Sequence, residues 1–218
     1  MDLTPGLLAH GHWTADQVKV DWIEHHFQPT AEQSQRADEK IAELARRGSP
    51  SHDGVAARFV SVEQAADGTV HFTLQPTRWA LRLVEHDGGG ALSALCIVRR
   101  ADGAWLAGRR AQWLSTWAGR WALGAGGAVE AGENPALTLT RELEEEWSLV
   151  PERLTVRAVV RNPSTMVLVV GVAWLPEGAD DTLVMDEEHD AHAWWPADPA
   201  DWPDEADEPL RAMAELLR

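Results

Sequence analysis

The 218-residue chain has no tyrosine, a single cysteine and no apolar run of membrane-spanning length. A single cysteine excludes an internal disulfide, and this usage is typical of a reducing compartment. Cys96 lies in the apolar run 94–98, so we interpret it as a small core residue rather than a nucleophile. Residues 1–13 lack a basic segment followed by an apolar one, so no secretion signal is predicted. Together these features predict a cytoplasmic protein that does not span a membrane.

Positive charge is also scarce. The formal net charge is −16, and residues 177–208 contain no lysine or arginine. A nucleic-acid polymer is therefore an improbable partner, because binding a phosphate backbone requires a basic surface. A small phosphate-containing substrate would have to be bound through a metal ion and a few local arginines.

The most informative stretch is residues 127–149, which combine fixed spacings with a helical pattern. Gly127 is followed after five residues by Glu133, and seven further residues lead to Arg141 at the start of the run RELEEEWSL. Pro135 suits the first turn of a helix, and an apolar residue at every fourth position, 139, 143 and 147, gives that helix a buried face.

Three glutamates lie on a neighbouring stripe of this predicted helix. Glu142, Glu145 and Glu146 occupy positions i, i+3 and i+4, so their carboxylates project together and repel one another. Oxygen ligands of this kind suit Mg²⁺ or Mn²⁺. The alternative interpretation is a solvated acidic helix face, which does not explain the spacing of Gly127, Glu133 and Arg141.

These residues resemble the Nudix box, whose pattern is Gly, five residues, Glu, seven residues, Arg-Glu-hydrophobic-any-Glu-Glu-any-Gly-hydrophobic. All specified positions match except the final glycine, which is Ser148 here. The resemblance implies an α/β/α sandwich with a mixed sheet. It also implies Mg²⁺-dependent hydrolysis, with Mn²⁺ as a possible substitute, of a nucleoside diphosphate linked to another moiety.

The resemblance also implies roles for individual residues. The metals would be held by the three glutamates and by one backbone carbonyl: Glu142, Glu145, Glu146 and Gly126. Arg141 and Glu133 would pair with each other or with nearby backbone and so stabilise the loop and helix. Ser148 lies where a helix ends in a left-handed residue, and serine costs about 1 kcal/mol there relative to glycine.

Two further segments resemble parts of Nudix proteins outside the box. The strand 105–110 ends in Arg109 and Arg110, which resemble arginines that face the substrate. Adjacent strand residues point in opposite directions, so we expect at most one of them to do so. Glu188 resembles a loop glutamate that completes the metal site or acts as the general base. Glu187, Asp186 and the box glutamates, Glu145 among them, remain alternatives for the base.

Tryptophans are concentrated between this strand and the box. Trp121 begins a predicted strand and is expected in the core, whereas Trp113 and Trp117 lie in a predicted loop. Either loop tryptophan could stack on the base of a nucleotide. The competing hypothesis is packing against the N-terminal segment or against a second subunit.

We divide the chain into an N-terminal extension, residues 1–88, and a Nudix domain, residues 89–218, with the boundary in the glycine run 88–90. Residues 31–47 are predicted to form a helix capped by Thr30, and residues 57–63 and 69–74 a hairpin. The first thirty residues show no clean period. Residues 1–88 resemble the N-terminal extensions of some longer Nudix proteins, which often serve in dimerisation or substrate selection, and this resemblance implies a possible homodimer.

Other elements and sites are predicted more simply. Strands are expected at 92–100, 154–161, 166–175 and 192–195, and a closing helix at 210–217. The histidines at positions 10, 12, 25 and 26 are interpreted as surface residues rather than metal ligands.

Three functions are compatible with the box. The hydrolase is the leading hypothesis. A Nudix-like binding or regulatory module without catalysis is the second. An isopentenyl diphosphate isomerase is the third, and it is disfavoured because the motif around Cys96 does not fit.

Overall fold

The computed structural model describes residues 5–49, 53–84, 90–114 and 117–218. Within these ranges the chain forms three α-helices: α1 (Ala31–Arg46), α2 (Pro135–Trp147) and α3 (Glu208–Leu216). The strands of the same ranges are β1 (Gly6–Trp13), β2 (Val18–Trp22), β3 (Val55–Gln64), β4 (Val70–Arg78), β5 (Leu92–Arg99), β6 (Trp105–Arg110), β7 (Trp121–Leu123), β8 (Ala125–Ala128), β9 (Arg153–Arg161), β10 (Val167–Trp174) and β11 (His189–Trp195).

Eight of these strands form one mixed sheet in the order β1-β9-β10-β5-β6-β11, with β7 paired to β6 and β8 paired to β5. Strands β5 and β10 run parallel, with Leu92 opposite Val167 at one end and Arg99 opposite Trp174 at the other. The other strand pairs of this sheet are antiparallel. Strand β8 contains the first two residues of the box. Its pairing with β5 therefore places the start of the box at the centre of the sheet.

Each face of the large sheet is covered by a helix, which makes the predicted α/β/α sandwich. On one face α2 buries Leu139, Leu143 and Trp147 against sheet residues that include Ala94, Cys96 and Val169. On the other face α3 buries Leu210, Ala214 and Leu217 against sheet residues that include Ile97, Val170 and Trp195. Alternate residues of β5 therefore serve opposite layers, as strand geometry requires. The predicted fold class is confirmed.

The predicted N-terminal helix and hairpin are both present. Thr30 caps helix α1. Its side chain accepts a hydrogen bond from the Gln33 N–H at 3.2 Å, while the Gln33 side chain accepts from the Thr30 N–H at 2.8 Å. Strands β3 and β4 pair antiparallel, and β2 adds parallel to β4 to complete a three-stranded sheet. Helix α1 packs through Ala37 against a short 3₁₀ turn, Trp79–Leu83.

The first thirty residues, which show no clean period in the sequence, nevertheless contain regular structure. They contain β1, which is the edge strand of the large sheet beside β9, and β2. The alternation of β1 is hidden because its register shifts between Leu7 and Ala9 and again between His10 and Trp13. Such bulges place two residues opposite one and disrupt the period of two on which strand prediction depends.

The predicted element boundaries differ from the observed ones by three residues at most, apart from β4, which was predicted to end at residue 74 and continues to Arg78. The predicted domain boundary, between residues 88 and 89, lies outside the described residues. In the described part of the chain, no helix is long and apolar enough to cross a bilayer.

Candidate active site

Strand β8 places two glycines directly against the glutamates. The Gly126 N–H donates to Glu146 Oε1 at 2.9 Å. A Cβ atom at Gly127 would lie 2.3 Å from Glu142 Oε1, so any other residue at the first position of the box would displace this carboxylate. The sequence predicted Gly126 through its carbonyl, whereas the contact present here is made by its N–H.

Helix α2 begins and ends with specific side chains. The Asn134 side chain caps its first turn by accepting from the Ala136 N–H at 2.9 Å, and Pro135 occupies the first turn as predicted. The helix ends at Ser148, which adopts the left-handed conformation with φ 54° and ψ 33°. Serine therefore occupies the backbone conformation for which the box pattern has glycine.

The three box glutamates differ in burial. Glu142 and Glu146 are buried, whereas the Glu145 side chain is 57% exposed. Glu146 uses one oxygen to accept from Gly126, but its Oε2 atom is buried and has no hydrogen-bond partner. A buried carboxylate oxygen without a partner is costly, so it is a natural position for a cation.

Arg141 pairs with Glu133 as predicted and also contacts the cluster. Its Nε donates to Glu133 Oε1 at 3.0 Å, and its Nη2 donates to the Ala128 carbonyl at 3.2 Å. Its Nη1 lies 2.8 Å from Glu142 Oε1 and 2.9 Å from Glu145 Oε2. One guanidinium thus joins the loop before the helix to two of the three glutamates.

Burial raises the pKa values of the two buried box glutamates, and neighbouring carboxylates add a smaller contribution. Burial raises the pKa of Glu142 to about 7, although Arg141 opposes the shift. Burial also raises the pKa of Glu146 well above its usual range, with a smaller contribution from the charge of Glu142. Both shifts report carboxylates that lack sufficient positive charge nearby, and a bound divalent cation would reverse them.

The chemistry of these donors fits a hard divalent cation. Within residues 5–49, 53–84, 90–114 and 117–218, however, no three His, Cys, Asp or Glu side chains converge closely enough to hold a metal as they stand. The Nη1 atom of Arg141 lies instead against oxygens of both Glu142 and Glu145. The partnerless Glu146 oxygen supports the fit, and metal binding would compete with Arg141 for the other two.

Glu188 faces an arginine of the predicted pair. Its carboxylate lies 3.3 Å from Arg110 Nη2, and burial raises its pKa, which Arg110 partly opposes. Arg109 instead donates to Asp190 at 2.5 Å. The two arginines therefore contact different carboxylates, as alternation along β6 requires. Glu187 is exposed.

His189 is a site residue that the sequence did not reveal. Its ring is buried against Trp147 with 4.4 Å between centroids. Its Nδ1 lies 3.2 Å from Asp186 Oδ1, and its Nε2 lies 3.7 Å from Glu146 Oε2. Burial lowers the pKa of His189, with opposition from Asp186. Only the proximity of His189 to Glu188 in sequence was available as a signal, and it does not indicate burial.

Trp113 and Trp117 remain partly open to solvent, at 43% and 42% exposure. The Arg120 guanidinium lies over the Trp117 ring, 4.4 Å from its centroid. Trp121 is half-buried against Trp195. The exposed area leaves both loop tryptophans available to a ligand or to another molecule.

The cysteine lies in the core, and the four N-terminal histidines lie at the surface. Cys96 is fully buried, and burial raises the pKa of its thiol, which agrees with a core residue and not with a nucleophile. His10 and His12 are exposed on β1, and His25 and His26 are exposed after β2.

Comparison with known proteins identifies the family. The NUDIX domain model matches residues 90–217, more than half of the chain. Comparison with curated proteins gives no match.

Among similar solved structures is a MutT protein from Methanosarcina mazei, at 23% identity over 48% of this chain and 75% of that one, with a TM-score of 0.38. Another is DR0079 from Deinococcus radiodurans, at 17% identity over 58% and 82%, with a TM-score of 0.46. A third is an Ap4A hydrolase from C. elegans, at 20% identity over 58% and 92%, with a TM-score of 0.41.

These TM-scores are low, so the assignment rests on the domain match and on the box residues. Nudix hydrolases generally use divalent metals, and the box carboxylates are oxygen donors of the type that such metals bind. The chain belongs to the Nudix family and is a hydrolase that acts on phosphoric anhydride bonds.

Proposed function

We propose that the chain is a Mg²⁺-dependent pyrophosphohydrolase that cleaves a nucleoside diphosphate linked to another moiety, with Mn²⁺ able to substitute. The observation that carries this proposal is the buried, partnerless Oε2 of Glu146 within a cluster of box carboxylates. A helix face that was merely solvated would not bury such an oxygen.

Glu142, Glu145 and Glu146 would hold the metal, and the carbonyl of Gly126 would add a backbone ligand. When bound, the divalent ion supplies positive charge to the diphosphate bridge. Arg141 and Glu133 keep the loop and the helix in register, through hydrogen bonds at 3.0 and 3.3 Å.

Glu188 is the proposed general base. Arg110 lies beside its carboxylate and favours the ionised form, which can accept a proton. Glu188 takes the proton of an attacking water, a new P–O bond forms at one phosphorus, the bridging P–O bond breaks, and the departing phosphate keeps the electron pair. Glu187, Asp186 and Glu145 are the alternatives for this role.

Substrate contacts are proposed for the end of β6 and for the loop that follows this strand. Arg110 and Arg109 provide positive charge in an otherwise acidic chain, and Trp113 and Trp117 provide aromatic faces for a base. Such a site fits a small nucleotide rather than a nucleic-acid polymer.

A hydrolysis panel tests the proposal. Nucleoside triphosphates, ADP-ribose, nucleotide sugars, dinucleoside polyphosphates and coenzyme A are incubated with Mg²⁺, with Mn²⁺ or with EDTA, and the products are identified by mass. We expect cleavage of at least one compound with metal and none with EDTA.

Inertness across the panel would favour a binding or regulatory module. An isomerase would need an accessible catalytic cysteine, and Cys96 is fully buried. A homodimer, a cytoplasmic location and the division into residues 1–88 and 89–218 are further proposals. Light scattering of the purified chain tests the first of them.

A further inference from the structure

The segment that precedes α2 is bonded to the N-terminal part of the chain. The Ala57 N–H of β3 donates to the Val129 carbonyl at 2.8 Å, and the Ala131 N–H donates to the Val55 carbonyl at 3.3 Å. Ala56 lies opposite Glu130 in an antiparallel bridge. Residues 129–131 therefore lie beside β3 as a short neighbouring strand would.

Asn134 forms a second connection, to β2. Its Oδ1 caps α2, and its Nδ2 donates to the Val18 carbonyl at 3.0 Å. One side chain thus starts the helix of the glutamates and attaches that helix start to the N-terminal segment.

The attached segment leads to the glutamates through an unbroken series of hydrogen bonds. The Glu130 N–H donates to Glu133 Oε2 at 3.2 Å. Glu133 accepts from Arg141, whose Nη1 contacts Glu142 and Glu145. A displacement of residues 129–131 away from β3 would therefore move the arginine that contacts two of the three glutamates.

Burial makes the connections at Val129 and at Val18 costly to break, whereas Ala131 and Val55 are exposed. Val129, Ala57 and Val18 are buried in the same hydrophobic cluster as Leu139 and Leu143 of α2. Water cannot readily replace a hydrogen bond lost there, so the freed group remains unsatisfied. The buried hydrogen bonds therefore oppose movement of the loop away from β3.

We propose that the N-terminal segment is a positioning element for the glutamate cluster, in which β3 and the Val18–Asn134 hydrogen bond hold residues 128–134 in place. Asn134 is a positioning residue that acts through Glu133 and Arg141. The effect on turnover rests on the proposed function, whereas the effects on metal affinity and on loop protection do not.

Two substitutions separate this role from helix capping. Asn134→Ser and Asn134→Asp both keep an oxygen that can cap α2, and both residues cap helices about as well as asparagine. Serine is too short to reach Val18, and aspartate has no donor for its carbonyl. Each variant therefore removes the connection while keeping the helix start. Thr30→Ala is the matched control, because it removes the cap of α1 away from the box.

Three measurements are made on the full chain. We expect kcat of both Asn134 variants to fall about ten- to a hundredfold while KM stays within about twofold. Affinity for Mn²⁺ alone, measured by electron paramagnetic resonance, should fall about tenfold. Amide hydrogen exchange of residues 129–131 should become faster, and Thr30→Ala should change none of the three.

The outcomes separate this inference from the proposed function. In one outcome, the wild-type chain hydrolyses no compound of the panel, and the Asn134 variants still lose Mn²⁺ affinity and loop protection. The positioning role then holds and the proposed function fails. If the variants exchange faster but keep their Mn²⁺ affinity and kcat, the contact is purely structural and the proposal is overturned. Unchanged exchange would overturn it as well, because the bond to Val18 would then not hold the loop.

Discussion

Replacing Glu142 by glutamine is expected to stabilise the metal-free protein and to slow the enzyme. The Glu142 side chain is only 11% exposed and lies between Arg141 and Gly127. Burial raises its pKa from 4.5 to about 7 despite Arg141. Glutamine keeps the size of the side chain but never ionises.

The expected gain in stability follows from the size and the sign of the shift. A rise from 4.5 to about 7 corresponds to about 3 kcal/mol as an upper limit. Because the folded pKa is raised, the favourable contribution of this carboxyl is fully present below the unfolded pKa and is lost as the pH rises through about 7. At pH 8 the variant should be more stable by about 1–3 kcal/mol, which is about 2–4 °C in Tm for each kcal/mol.

Thermal unfolding in EDTA at about pH 5 and pH 8 measures this difference, which should be small at the lower pH and largest at the higher one. With Mg²⁺, kcat of Glu142→Gln should fall by at least about a hundredfold. Glu144 is exposed on the same helix, so Glu144→Gln is the matched control and should change neither quantity. Destabilisation of Glu142→Gln at pH 8 together with normal turnover would refute the reasoning.

The remaining predictions concern the base, the loop and the helix end. Glu188→Gln should lower kcat by about a hundredfold with KM nearly unchanged, and Glu187→Gln should behave as wild type; a larger loss at Glu187 would move the assignment by one residue. If the loop binds the base, Trp113→Ala or Trp117→Ala should raise KM about ten- to a hundredfold with turnover kept. Lower Tm or dissociation to monomer with KM unchanged would instead indicate packing. Ser148→Gly should raise Tm by about 2–4 °C, since glycine relieves about 1 kcal/mol in the left-handed conformation, and a lower Tm would contradict this.

The arrangement within the box was predictable because it depends on local periodicity. Glu142 and Glu146 lie on one side of a helix whatever the rest of the chain does, and the spacing of Glu133 and Arg141 belongs to the same loop and helix. The helix cap at Thr30 and the hairpin turn between residues 63 and 69 likewise depend on residues that are close together in the sequence.

The contacts that complete the site are not local. Arg110 meets Glu188 because β6 pairs with β11, 78 residues further along the chain. His189 reaches Glu146 by the same pairing. Neither contact leaves a periodic pattern in the sequence, so the motif could suggest Glu188 only by resemblance and gave His189 no role.

The N-terminal segment could be predicted from the sequence only in part. Its helix and hairpin follow from capping and turn residues, but β1 contains two register shifts that remove the alternation used to predict a strand. Its connection to the box depends on backbone groups, such as the Ala57 N–H and the Val129 carbonyl, which every sequence contains. Only the folded arrangement shows that these groups meet.

The most direct test of the central claim is hydrolysis in water enriched in ¹⁸O. A substrate from the panel is cleaved with Mg²⁺, and the mass of both products is measured. Attack of water on phosphorus predicts one ¹⁸O atom in one phosphate-containing product, turnover that EDTA abolishes, and loss of labelling in Glu146→Gln. Turnover that persists in EDTA, or cleavage that leaves both phosphates unlabelled, would contradict metal-dependent hydrolysis of the anhydride.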